Sequence, residues 1–371
     1  SLQGGAGGIL PGTVVAKLDN PVNSIGALGS FTALQGDVTV FAQAVTVLPG
    51  ATVSGRNVSL RSLAGDLAVN GAVGATAVNG GAVDAGAGTA TLAATGVITI
   101  SGTVNGEQAV IIMLAPGGVT VASTGVLSAG RTTTPAVPGD LNVGGQLRVN
   151  GGTVSADTVE ASGGVVQTGG TVTARSSLSA SPFTYNGGAL ASGSSVSLLV
   201  NGLGVGDSIR SGGDVTITGG ASQFISQGEV AARGNLSLTA PGGFLQPAGR
   251  LVARGTVSID AGAGLVVQAG AGTVAAGGAI TLQGTGAGLV TLDGRLAAGG
   301  NLTVSQPNAD IRFNVARLSG TAPGSATGIP ALGTEVAVGP TGAQTVRIDG
   351  KAIELAQPFG TGTLELNSSG A

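Results

Sequence analysis

The feature that most constrains this chain is a short string that keeps returning. It reads Gly, any residue, an aliphatic, Ser or Thr, and a second aliphatic. It appears as Gly213-Asp214-Val215-Thr216-Ile217 and again as Gly234-Asn235-Leu236-Ser237-Leu238. Gly255-Thr256-Val257-Ser258-Ile259, Gly278-Ala279-Ile280-Thr281-Leu282 and Gly300-Asn301-Leu302-Thr303-Val304 follow, so the leading glycine returns at a nearly constant interval. A fixed period of this size is the signature of a solenoid, in which each repeat is one supersecondary unit that cannot bury its apolar face alone.

A second short strand precedes each copy from Gly234 onward: Glu229-Val230-Ala231-Ala232, Arg250-Leu251-Val252-Ala253, Thr273-Val274-Ala275-Ala276 and Arg295-Leu296-Ala297-Ala298. Looser copies lie earlier, at Gly36-Asp37-Val38-Thr39-Val40, Gly65-Asp66-Leu67-Ala68-Val69, Gly118-Val119-Thr120-Val121 and Gly139-Asp140-Leu141-Asn142-Val143. Aliphatics alternate with Ser, Thr or Asn, and alternation at period two gives a strand with one buried and one wet face. Stacking coils buries that face, because each strand pairs in parallel with its equivalent one coil along. The spacing therefore predicts an all-β fold, a parallel β-helix (β-solenoid) of about 20–23 residues per coil and roughly 17 coils. Its inner columns are expected to be Leu236, Val257, Ile280, Leu302 and Leu238, Ile259, Leu282, Val304.

Composition agrees. The 371 residues include 71 Gly and only 9% charged and 2% aromatic residues, with no Cys, His or Trp. Glycine without a triplet period excludes collagen, and the abundance of Val, Leu, Ile and Thr, with mean hydropathy +0.44, excludes a disordered chain. So few aromatics mean thin, regular layers. A net charge of −3 argues against a nucleic-acid partner, which needs a basic stripe. No uninterrupted apolar run is long enough for a transmembrane helix. Without Cys there are no disulfides and no thiolate sites.

The period breaks twice. One break runs from about 176 to 211 and contains Ser181-Pro182-Phe183-Thr184-Tyr185, which reads as a loop excursion or a coil with a long corner. The other begins near Asn308 and holds Pro323, Pro330, Pro340 and Pro358. In it, Val346-Arg347-Ile348-Asp349-Gly350-Lys351-Ala352-Ile353-Glu354-Leu355 reads as a hairpin or a tight coil corner. The expected organisation is a β-helix body over 1–307, with the excursion near 176–211, and a less regular continuation or cap over 308–371.

The copies at Gly234, Gly255, Gly278 and Gly300, above all Gly299-Gly300-Asn301-Leu302-Thr303-Val304, resemble the repeats of filamentous-haemagglutinin-type proteins, and Asn20-Pro21-Val22-Asn23-Ser24-Ile25-Gly26-Ala27-Leu28-Gly29-Ser30-Phe31 resembles segments of their large proteobacterial members. The resemblance implies a right-handed parallel β-helix exported to the Gram-negative cell surface, often by two-partner secretion. It also implies a task in adhesion, biofilm or contact-dependent competition. On that basis the expected localisation is extracellular or at the bacterial cell surface. The expected partners are host or neighbouring-cell glycans or surface proteins, with self-association into fibres as a further option. The chain then reads as part of a larger exoprotein.

Chemistry is sparse. Asp207 with Asp214 and Asp260 with Asp293 are the nearest approaches to paired carboxylates, and neither pair forms a motif. A β-helical polysaccharide lyase or hydrolase is the alternative reading, and a non-enzymatic chain the preferred one. The string Asn79-Gly80-Gly81-Ala82-Val83-Asp84-Ala85-Gly86 comes nearest to a calcium-binding repeat but is not repeated. The acid after Gly (Asp37, Asp66, Asp140, Asp214) gives way to Asn235, Thr256, Ala279 and Asn301 elsewhere, which suits a turn column better than a ligand column. No catalytic, cofactor or metal residue is assigned. The outward Ser/Thr column reads as a solubilising strand face. Phe183 and Tyr185, an aromatic pair in the first break, are the candidate partner contact.

Overall fold

The computed structural model describes residues 9–10, 14–17, 27–33, 36–79, 82–84, 86–113, 115–132, 136–313, 322–324, 336–338, 345–355 and 363–369. The chain divides into two compact units, Ser1–Phe183 and Thr184–Ala371. Both are all-β among the described residues, and parallel strands stack into solenoid coils, about 14 turns in all.

Each coil of the first unit has three faces. The first face stacks Val38–Ala42, Val58–Ser62, Thr89–Ala94, Ala109–Met113 and Asp140–Val143. The second stacks Val45–Val47, Leu67–Val69, Ile98–Ile100, Val119–Val121, Leu147–Val149 and Val165–Gln167. The third stacks Phe31–Ala33, Thr52–Gly55, Ala72–Ala75, Thr103–Gly106 and Val126–Ala129. The long strands Thr153–Ala161 and Thr171–Ala180 run through the third face into the first, with a register shift between Ala156 and Thr158.

The register puts like on like. Val38, Val58, Ala90, Val110, Leu141 and Val159 form one inner column, and all are buried. Each buried Val, Leu or Ile contributes about 1.5–3 kcal/mol relative to exposure, so the stack is stable only because every coil repeats the gain. Corners turn tightly. At Gly170 φ is +72°, and a Cβ there would press on the backbone of Gly151 and Gly152 one coil back, so no other residue fits without strain.

The second unit repeats the plan. Its first face runs through Ala189–Ser192, Ser208–Ser211, Glu229–Ala232, Arg250–Ala253, Thr273–Ala276 and Arg295–Ala298. Its second face carries the recurring string. Leu236, Val257, Ile280 and Leu302 align, as do Leu238, Ile259, Leu282 and Val304, and all eight are buried as expected. The third face holds Phe224–Ser226, Phe244–Gln246 and Val266–Gln268. There Phe224 and Phe244 stack at 6.1 Å between ring centres and 14° between planes.

The segment 176–211 does not leave the solenoid. Ala189 pairs with Ser208 and Ser208 with Glu229, an ordinary coil step each time. The sequence misleads because Ser192 and Ser211 occupy a buried corner that Ala232 and Ala253 fill in later coils. The Ser211 hydroxyl can sit there because it donates to the carbonyl of Ser194 at 2.7 Å. Beyond residue 307, the strand Leu302–Phe313 pairs in parallel with Thr345–Leu355, and the latter with Thr363–Ser368. Asp349-Gly350 is therefore a coil corner, not a hairpin. Of the Pro-containing stretch, only Ala322–Gly324 and Val336–Val338 are described, as an antiparallel pair. There are fewer coils than the roughly 17 expected, partly because two coils of the first unit are long. Val58 pairs with Ala90 and Val110 with Leu141, far wider steps along the chain than the one from Val38 to Val58.

Candidate binding face

The extra residues of those long coils emerge at one corner. A regular coil of the first unit passes from the third face to the first in two residues, Arg56 and Asn57 or Glu107 and Gln108. Two coils insert longer segments at the same place, residues 76–88 and 130–139. In the first insertion Val78–Asn79 pairs antiparallel with Ala82–Val83, and the N–H of Asp84 closes the base on the carbonyl of Ala77 at 2.7 Å. In the second, Arg131 and Val137 exchange backbone bonds of 2.7 and 2.9 Å. Of the calcium-like string, Asn79 pairs with Ala82, and Asp84 forms an ion pair with Arg56 at 2.9 Å.

Side chains from neighbouring coils hold the feet of both insertions. Glu107 Oε2 accepts from the Ala77 N–H and the Thr76 hydroxyl, each at 2.8 Å. Asn57 Oδ1 accepts from the Thr89 N–H at 3.1 Å at the other foot. For the second insertion, Asp157 Oδ2 accepts from the Gly139 N–H at 2.8 Å, and Arg175 Nη2 donates to the Ala129 carbonyl at 3.2 Å. Asp157 and Arg175 are themselves joined by two parallel bonds, 2.7 and 2.9 Å. The hydrogen bonds from Arg175 hold the Asp157 carboxyl below the usual range against the opposing effect of burial, and the same contact raises the guanidinium. Arg131 lies 3.6 Å from Glu107, so charges line this corner coil after coil.

Beside the corner lies a depression of about 210 Å³ in the third face. The outward column there is Thr32, Ser54, Gly74 and Asn105, aligned one coil apart. Gly74 leaves the gap: a Cβ at that position would touch only Ser54 Cβ, at 3.9 Å. Thr76 and Glu107 wall the depression on the side of the hairpin.

The other candidates fall elsewhere. Phe183 and Tyr185 alternate with Thr184 on one strand and both face inward, 2% and 0% exposed, so neither ring is presented at the surface. The Tyr185 hydroxyl donates to the Gly188 carbonyl, and burial, helped by the Asp207 charge, pushes its pKa up. Asp207 accepts from the Gly188 and Gly204 N–H groups, Asp214 from the Asn235 N–H and Asp260 from the Gly262 N–H. Asp207 and Asp214 sit at opposite ends of Ser208–Ser211; Asp260 ends a second-face strand, while Asp293 follows a third-face strand. The slot after Gly is a coil-to-coil clasp. Asp66 accepts from the Val97 N–H at 2.8 Å, Asp37 from the Asn57 amide at 3.1 Å, and Asp140 is exposed. Among the described residues no three acids cluster to hold a metal ion, and no helix is long and apolar enough to cross a membrane. The outward hydroxyls Thr216, Ser237, Ser258, Thr281 and Thr303 align in one column, and the neighbouring outward column is mixed: Thr218, Thr239, Asp260, Gln283 and Ser305.

The chain matches no family model, no curated protein and no solved structure. What the geometry of the first unit defines is a parallel β-solenoid with a loop-bearing corner beside a hydroxyl-lined depression. Reading for repeats alone misses that corner. The signal that could have found it is the lengthened step between early copies, from Gly65-Asp66-Leu67 to Val97-Ile98 and from Gly118-Val119 to Gln146-Leu147.

Proposed function

We propose that this chain is a non-enzymatic scaffold from a bacterial surface protein of the filamentous-haemagglutinin kind, and that it meets other surfaces through the looped corner of its first unit. The supporting observation is that both insertions, 76–88 and 130–139, leave the coil at the same corner. Insertions in solenoids collect on one side when that side carries the contacts, and loops fixed to a rigid scaffold commonly do the binding. The repeat resemblance supplies the setting: export to the cell surface, with adhesion or biofilm as the task.

The test is attachment. Beads coated with the chain are compared with beads carrying a variant in which residues 76–88 are replaced by a two-residue corner like Arg56-Asn57. Loss of attachment to bacterial or host cells, with the melting temperature kept, is the expected outcome. Full attachment by the shortened variant overturns the reading.

The enzymatic alternative draws less support. Of the residues lining the depression, Glu107 alone is charged. Its Oε2 already takes two bonds and Arg131 stands beside its Oε1. Glycoside hydrolysis needs two carboxyl groups flanking the scissile bond. Release of reducing ends from polysaccharide by the purified chain would reverse this preference.

A further inference from the structure

We propose that the depression over Gly74 receives one sugar unit of an uncharged, extended glycan lying along the coil axis. This rests on the looped corner being the binding face and names the ligand class for it.

Shape comes first. The depression, about 210 Å³, is a single-unit site, below the size of ordinary drug-like pockets of about 300–1,000 Å³. Gly74 and Ala75 line it without adding a polar side chain, which leaves room for the C–H face of a pyranose. The gap exists because the outward column, with Ser54 on one side and Asn105 on the other in register, has no side chain at Gly74.

The polar groups come second. Thr32 and Ser54 bond to each other at 2.9 Å through their hydroxyls, and Asn105 brings an amide from the next coil. Hydroxyl and amide groups both donate and accept, which matches a polyol and not a lone charge. Glu107 already holds Thr76 and Ala77, which fixes the carboxylate in place on the wall. Glu107 faces the depression and Arg131 does not line it, so a uronate or sulfated sugar meets the carboxylate first; Arg131 at 3.6 Å weakens both that repulsion and the attraction for a cation.

Continuity is the third point. Beyond Asn105 the column runs on through Ser128, Ser155 and Thr173, again in register. Paired strands lie about 4.8 Å apart, so hydroxyls recur at nearly the advance of one sugar along an extended β-linked strand. A glycan seated at Gly74 therefore meets a similar polar group at every coil.

The experiment is calorimetric titration of the full chain with cellohexaose, chitohexaose and mannohexaose, and with a hexamer of galacturonate. At least one neutral hexamer is expected to bind with a Kd at or below about 1 mM, and galacturonate to bind at least 10-fold more weakly. Gly74→Val fills the gap on an outward strand position where a β-branched residue is well tolerated, and it should weaken binding at least 10-fold with melting unchanged. Asn105→Ala and Ser54→Ala serve if Gly74→Val misfolds. Thr281→Val, on the second unit, should leave binding as it is. No binding by any neutral hexamer, stronger binding of galacturonate, or binding indifferent to all three depression variants overturns the proposal. If shortening 76–88 abolishes cell attachment while the depression variants do not, the surface reading stands and the glycan assignment falls.

Discussion

Arg175 and Asp157 meet through two parallel bonds, Nε to Oδ1 at 2.7 Å and Nη2 to Oδ2 at 2.9 Å, and the same pair reaches both feet of the 130–139 insertion through Ala129 and Gly139. A two-pronged guanidinium makes this possible; a Lys at 175 would reach one partner at a time. The insertion is thereby tied to the strands on which it stands.

This contact carries a pH dependence. Asp157 has a lowered pKa in the folded chain, so it binds its proton less readily folded than unfolded. Its contribution is present above the ordinary carboxylate value near 4 and is lost as pH falls through the lower folded value. Asp157→Asn should therefore destabilise the neutral-pH chain by about 1 kcal/mol, a figure that allows for solvent screening of a partly exposed pair. The gap between variant and parent melting curves should close in acid. A gap that widens as pH falls would show that the carboxylate does not act in its charged form.

The inner columns make a sharper test of register. Leu238 is buried between Ile217 and Ile259, whereas Ser237, one residue away, points to water. Leu238→Asp places a carboxylate among aliphatics and should cost several kcal/mol; Ser237→Asp should cost under about 1 kcal/mol. Denaturant midpoints decide it. Equal losses would mean that the strand presents its faces differently.

The second-face columns were legible because aliphatic and hydroxyl residues alternate in every copy from Val215 to Val304. The coil containing Ser192 and Ser211 was not, because a buried Ser looks like a surface Ser until its hydrogen-bond partners are known. The paired aromatics misled for a related reason. Phe183 and Tyr185 sit two residues apart, which on a strand is the spacing of two inward side chains as readily as of a surface pair. The charged corner was hidden more deeply, since Asp157 and Arg175 lie a coil apart along the chain and meet only because coils stack.

Interior amides give a third prediction. Gln246 and Gln268 are buried one above the other on the third face of the second unit. Gln268 Nε2 donates to Gln246 Oε1 at 3.0 Å, and Gln246 Nε2 donates to the carbonyl of Thr273 at 3.1 Å. Gln268 Oε1 has no partner, so that side chain already carries an unmet acceptor. Gln246→Leu leaves Gln268 Nε2 with only the Arg295 carbonyl at 3.3 Å, takes the amide donor from the Gly249 and Thr273 carbonyls, and should cost about 2 kcal/mol. Gln268→Leu takes a donor from Gln246 Oε1 and the Arg295 carbonyl but also removes the orphan oxygen, so it should cost about 1 kcal/mol, with the double variant less than additive. A larger loss for Gln268→Leu would contradict the hydrogen-bond assignment.

The slot after Gly yields the last prediction. Ser195, Asp214 and Asn235 each accept, through the side chain, the backbone N–H of the equivalent residue one coil on: Asp214 at 2.9 Å, Asn235 at 2.7 Å and Thr256 at 2.9 Å. The relay works as a helix N-cap does, meeting a corner N–H that the ladder leaves out. It also explains why Asp, Asn and Ser interchange in this column, since each offers an acceptor oxygen and none needs a metal. Asp214→Ala and Asn235→Ala should each cost about 1 kcal/mol, and Asp214→Asn much less. Ala279 interrupts the series, so Ala279→Asn should supply an acceptor to Asn301 and stabilise by roughly 0.5 kcal/mol. Melting in chelator should match melting in buffer for all four variants and the parent. A midpoint that climbs with millimolar calcium, and does so less in Asp214→Ala, would show that the acids of this column are ligands instead of clasps.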